Sequence, residues 1–82
     1  MDSNRTTTIK GLIIPVDWDK KGNVTATAIS THLEEEYLVD DNARGEELIA
    51  FLRQRAKVSG FIIEKAKGKK VITVKHYEVL EE

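Results

Sequence analysis

The chain reads as a mainly β protein, a five-stranded Greek-key barrel with one helix between strands three and four. Three observations predict it. Five runs rich in β-branched residues are separated by turn chemistry. One stretch switches from period two to helical period. A lone glycine interrupts the first and the fourth strand runs, as strong coiling requires. Five short strands must close on themselves or leave long edges unprotected, and a barrel plugged at one end by the helix leaves none.

The first strand run covers residues 8 to 18, with Gly11 marking a bulge or sharp coil. Lys20-Lys21-Gly22-Asn23 supplies turn residues. Residues 24 to 31 then alternate, with Val24, Ala26 and Ala28 on one side and Thr25 and Thr27 on the other, the pattern of a half-buried strand. Residues 35 to 39 form the third run. Asp40, Asp41 and Asn42 are candidate N-caps, and Glu46 and Glu47 suit the positive end of a helix dipole. Leu48, Ile49, Phe51 and Leu52 make an apolar stripe, and the spacing predicts a helix over about residues 43 to 53 that buries Leu48, Phe51 and Leu52. Gly45 weakens this helix by up to about 1 kcal/mol, so tertiary packing must support it. Residues 56 to 65, with Gly60 at their centre, give the fourth strand. The last strand covers residues 71 to 79, with Ile72 and Val74 on one side and Val71, Thr73 and Lys75 on the other.

With 82 residues there is room for one domain, its first seven residues expected to form a flexible tail. A hydrophobic fraction of 40% against 33% charged places the chain among folded domains. Net charge is −1, so nothing draws the whole molecule to nucleic acid or to an anionic membrane, and polyanion binding needs a local patch. The absence of cysteine excludes disulfides and thiolate metal sites. The N-terminus is polar, and the longest apolar run, residues 12 to 16, is too short to span a bilayer. A cytoplasmic location without membrane association is expected. The two Asn-x-Thr triplets, at Asn4 and Asn23, then read as chance matches.

Three stretches carry a family likeness. They are Thr8-Ile9-Lys10-Gly11-Leu12-Ile13 as a curled first strand, the helix placed between strands three and four, and Val58-Ser59-Gly60-Phe61-Ile62-Ile63 followed after a lysine-rich hairpin by Val71-Ile72-Thr73-Val74-Lys75-His76-Tyr77. The chain resembles an OB-fold domain over about residues 8 to 80, in particular the small stand-alone bacterial OB-like proteins of undefined function. The resemblance implies a ligand face bordered by the loops after the first and fourth strands.

Those two loops hold the candidate site. Lys20 and Lys21 lie in one, and Lys65, Lys67, Lys69 and Lys70 in the other. Such lysines neutralise phosphates, and they equally keep hairpin tips soluble and sheet edges apart. Trp18 stands between Asp17 and Asp19, either as an exposed ring on which a base stacks or as a lid over one end of the barrel. Phe51 belongs to the helix stripe and the core; Phe61 and Tyr77 fall on the barrel face or, more simply, in the core. Glu34, Glu35 and Glu36 alternate across a strand and read as a solvated edge rather than a metal site. His32 and His76 have no serine or carboxylate at a triad spacing, and the five glycines are scattered singly, so no phosphate loop is spelled. The expectation is a non-enzymatic OB-fold binding module without cofactor or metal. Its lysine loops bind single-stranded nucleic acid or another polyanion weakly; the alternative is a protein-interaction or assembly module that binds no nucleic acid.

Overall fold

A computed structural model describes residues 6–33, 35–40 and 42–80. Its strands are β1 (Thr7–Trp18), β2 (Val24–Ser30), β3 (Glu36–Val39), β4 (Arg55–Glu64) and β5 (Lys70–Val79). They close into a barrel in the order β1-β2-β3-β5-β4, antiparallel throughout except for the parallel β3–β5 pair. Helix α1 (Ala43–Glu47) and a following 3-10 turn (Leu48–Phe51) connect β3 to β4. This is the mainly β, five-stranded architecture that the pattern predicts. Residues 1–5 of the expected tail, Glu34 of the acidic run and Asp41 among the candidate caps lie outside the described residues, and β1 already begins at Thr7.

Closure depends on β1 serving two neighbours. Its first half, Thr7 to Leu12, pairs with β4, and its second half, Leu12 to Trp18, pairs with β2. Gly11 sits at the changeover, where an added β-carbon would overlap the carbonyl of Ser30. Gly60 flanks the bulge in the β4–β5 ladder, and a β-carbon there would overlap the carbonyl oxygen of Thr73. Both glycines thus stand where two strands approach too closely for any side chain.

Inside the barrel, Ile13, Ile29, Val58, Ile72 and Val74 form the centre of the core, joined by Tyr37 and Ala56. Leu48, fully buried, closes one end from the 3-10 turn. The connection differs from the expected helix over residues 43 to 53. Regular α-helix ends at Glu47, and Phe51 and Leu52 pack only half-buried at the core margin. The cause lies just beyond. Arg53 takes a left-handed backbone (φ 68°), its N–H donates to the Ile13 carbonyl (2.7 Å), and the Ile13 N–H donates to Gln54 (3.0 Å). Two residues that would have extended the helix are recruited to β1. At the other end Asn42 is the cap, accepting from the Gly45 N–H at 2.8 Å. Gly45 is more than a weak helix former: a β-carbon on it would overlap the Asp40 carbonyl, so its smallness lets α1 lie against the end of β3.

Candidate functional site

The loop after β1 is organised by one carboxylate. Asp19 accepts hydrogen bonds from the N–H groups of Lys21 (2.8 Å) and Asn23 (2.9 Å) and from the Asn23 side chain (3.2 Å). These bonds, led by the Asn23 backbone, hold its carboxyl below the ordinary aspartate range. The turn fixes an exposed Lys20 and Lys21 and leaves Trp18 with 53% of its surface in solvent. Trp18 is therefore an exposed ring rather than a barrel lid.

The loop after β4 is a short 3-10 turn, Ala66–Gly68, in which Lys67 (φ 66°) and Gly68 (φ 76°) are left-handed. Lys65, Lys67 and Lys69 are exposed. Lys70 is drawn away from them. It opens β5, and its ammonium lies 5.5 Å from the Tyr37 ring centre and 3.5 Å from the Glu35 carboxylate. Because β4 runs antiparallel to β1, the two lysine loops stand at opposite ends of the strands, with the wall of β2 and β3 between them.

That wall carries a feature that the sequence reading missed. Every strand holds two adjacent apolar residues: Ile13-Ile14, Ala28-Ile29, Leu38-Val39, Val71-Ile72 and Ile62-Ile63. Successive residues of a strand point to opposite faces, so one of each pair must face outward. The register aligns the outward members into a single row, Ile14–Ala28–Leu38–Val71–Ile63, crossing all five strands. None of the five belongs to the core cluster. Trp18 pairs with Val24, four residues from Ala28 on the same side of β2, so its ring stands at the edge of this apolar face. Phe61, two residues before Ile63, extends the face on β4, with the Lys75 ammonium 5.6 Å from its ring centre.

Another part of the outer wall is polar. Where β1, β4 and β5 run together, the outward rows are Thr8–Ser59–His76 and Lys10–Lys57–Glu78. They are knit by a Thr8–Ser59 hydroxyl bond (2.8 Å) and a Lys57–Glu78 ion pair (3.8 Å). His76 therefore lies on a polar wall, and Tyr77, on the inward side, packs against Phe51 with ring centres 6.1 Å apart. Its hydroxyl donates to Glu47 (2.7 Å), a bond that raises the phenol's pKa. His32 lines an open groove of about 690 Å³ between the first half of β1 and the β2–β3 turn, with Lys10, Leu12, Leu33, Tyr37 and Arg55. Among the described residues, no three of the His, Asp and Glu side chains are grouped to hold a metal ion.

No protein-family model matches this chain, and no curated protein matches it.

Proposed function

We propose that this chain is a non-enzymatic docking module of the OB type, and that the apolar half of its outer wall receives a partner protein. One observation carries the reading: Ile14, Ala28, Leu38, Val71 and Ile63 form one outward aliphatic row, whereas the outward rows Thr8–Ser59–His76 and Lys10–Lys57–Glu78, farther along β1, β4 and β5, are polar. These aliphatic side chains stand outside the central core cluster, and Ile63 keeps 50% of its surface in solvent, where a polar residue would be favoured. A contiguous apolar face rimmed by charge fits a contact surface. Trp18 at its edge supplies the kind of large ring that anchors protein interfaces. Aliphatic residues bury well against another protein and offer bases little to stack on.

The test is a photo-reactive benzoylphenylalanine placed at Leu38, with the same residue at Lys57 on the polar half as control, irradiated in living cells. Discrete protein adducts from position 38 and none from position 57 are expected. Equal labelling from both halves, or none from position 38, overturns the reading.

The exposed ring of Trp18 beside Lys20 and Lys21 favours a second reading, weak polyanion binding, with Lys65, Lys67 and Lys69 at the far end of the wall. A single-stranded oligonucleotide would then quench Trp18, and changing Lys67, Lys69 and Lys70 together to glutamine would flatten the slope of log affinity against log salt by roughly 0.7 per lost phosphate contact. Unchanged Trp18 emission at low salt removes this reading.

A further inference from the structure

We propose a second site, independent of the aliphatic row: the edge of β1 from Thr8 to Lys10 takes up a short, extended, acidic segment of another protein as an added strand. The opening exists because β1 and β2 part company early. Leu12 is the first residue of β1 to pair with β2, opposite Ser30, and Thr7 to Gly11 before it have β4 on one side only. The chain after Ser30 does not follow β1, because the Thr31 N–H donates to the Glu35 carbonyl (2.9 Å) and turns it towards β3. The open groove of about 690 Å³ is the gap left between them.

Hydrogen-bond direction fixes which backbone groups line that gap. The Ile13 N–H donates to Gln54 (3.0 Å) and the Ile13 carbonyl accepts from Arg53 (2.7 Å), so Ile13 is bonded on the β4 side. Residues of an antiparallel ladder alternate between their two sides. Gly11 and Ile9 therefore also bond to β4, whereas Lys10 and Thr8 aim both N–H and carbonyl away from it. The partner strand agrees: the Arg55 carbonyl, opposite Leu12, accepts from Leu80 (2.8 Å) and so is turned towards β5. Among the described residues, no backbone group of the β2–β3 turn bonds to Lys10 or Thr8. Donors and acceptors spaced two residues apart along an open edge are what an incoming strand pairs with.

The side chains around the gap determine what such a segment must carry. Ile9 and Tyr37, both packed with the core, line its inner side, while Leu12 and Leu33 at the rim keep 38% and 69% of their surface in solvent. These two are half of the four large apolar side chains exposed among the described residues, and both border this one groove. Lys10, His32 and Arg55 supply basic groups. Glu35, the one lining carboxylate among the described residues, is already engaged by the Lys70 ammonium (3.5 Å) and the Tyr37 hydroxyl (3.2 Å). An added strand alternates its faces as β1 does, so the residue opposite Lys10 points outward beside its ammonium and the neighbouring residues point inward beside Ile9. Acidic outward residues and aliphatic inward ones complement that edge.

The probe is a fluorescein-labelled acetyl-Val-Glu-Val-Glu-Val-amide, titrated with the full chain at low salt and followed by anisotropy, with amide exchange measured by NMR. In the free protein the Lys10 amide should exchange at least about tenfold faster than those of Ile9 and Gly11, and bound peptide should slow it by about tenfold. Methylating the two Glu nitrogens of the peptide, which face β1 in this register, should abolish binding, whereas methylating the central Val nitrogen should leave it within about twofold. Lys10→Glu, at an exposed position, should weaken binding by about tenfold with an unchanged circular dichroism spectrum. No binding up to about 1 mM, a Lys10 amide already protected in the free protein, or equal binding of a peptide with lysines in place of its glutamates overturns the proposal. Equal effects of the two methylations also overturn it, because the groove would then hold an acid without strand pairing. None of these outcomes bears on labelling from position 38, so the docking face is decided separately.

Discussion

Replacing Leu48 with alanine tests whether the 3-10 turn, rather than a longer helix, plugs the barrel. Leu48 is fully buried in the core cluster. The substitution removes about three methylene equivalents, at about 0.8 kcal/mol each, or about 2.4 kcal/mol of transfer free energy. A residual cavity of about 65 Å³ adds about 1.6 kcal/mol at about 24 cal/mol per Å³, for a total near 4 kcal/mol. A domain of this size has roughly 4–12 kcal/mol to lose, so the variant should be marginal or unfolded at room temperature. Leu52, on the predicted helical stripe but only half-buried, should cost about half as much on truncation. Urea titrations of parent, Leu48→Ala and Leu52→Ala, followed by far-ultraviolet circular dichroism and fitted with a common slope, give both differences. A Leu48→Ala midpoint within about 1 kcal/mol of the parent, or a Leu52→Ala variant less stable than Leu48→Ala, would refute the plug assignment.

Gly60→Ala should destabilise by about 2 kcal/mol or more, because the clashing atom belongs to the Thr73 backbone and cannot rotate away; a parental melting temperature would contradict it. Arg53→Gly should raise stability by about 0.5–1 kcal/mol by relieving a left-handed backbone, whereas Arg53→Ala should not, and equal urea midpoints for the two variants would show that φ 68° carries no strain. Asp19 should titrate below 3.8 by carboxyl NMR. Since its folded pKa is depressed, its contribution is complete above the unfolded value and is lost as pH falls through the folded one; the Lys21 and Asn23 amide signals should shift over that same acid interval, and a midpoint at or above 3.8 would mean that the turn bonds are absent in solution.

Strand number, the place of the helix between strands three and four, and both crowded glycines were legible in the sequence because each follows from local chemistry: Gly11 and Gly60 interrupt β-branched runs where close approach explains them. The helix was legible only in its first half. Its apolar stripe continues through Leu52, and nothing near Arg53 reveals that the backbone there is hydrogen-bonded to Ile13, forty residues earlier. Gly45 was visible as a weak helix former but not as a packing contact, which depends on where β3 ends. At the candidate site, exposure of Lys20, Lys21, Lys65, Lys67 and Lys69 followed from turn chemistry. Capture of Lys70 by Tyr37 and Glu35 needed the parallel β3–β5 register, and so did the outward apolar row. Its signal was present all along as an adjacent apolar pair in every strand, but an isolated pair such as Leu38-Val39 does not say which member faces out. Register decides that, and register is a property of two strands.

The divided pairing of β1 also sets the order in which the chain assembles. The β1–β2 and β4–β5 hairpins each need only a short turn to form, so each can zip as soon as its residues exist. Closure needs Thr7 to find Gly60, across most of the chain, and β3 to align with β5 through a crossover. Loop-closure entropy makes those the late events, and folding should be slow for so short a sequence. Until closure, the Thr7-to-Gly11 segment has no partner strand, since β4 supplies every one of its register contacts. During synthesis the nascent protein therefore carries a dangling β-strand until about residue 60 has left the ribosome, and in the finished protein the same segment is the natural place for the barrel to come unzipped.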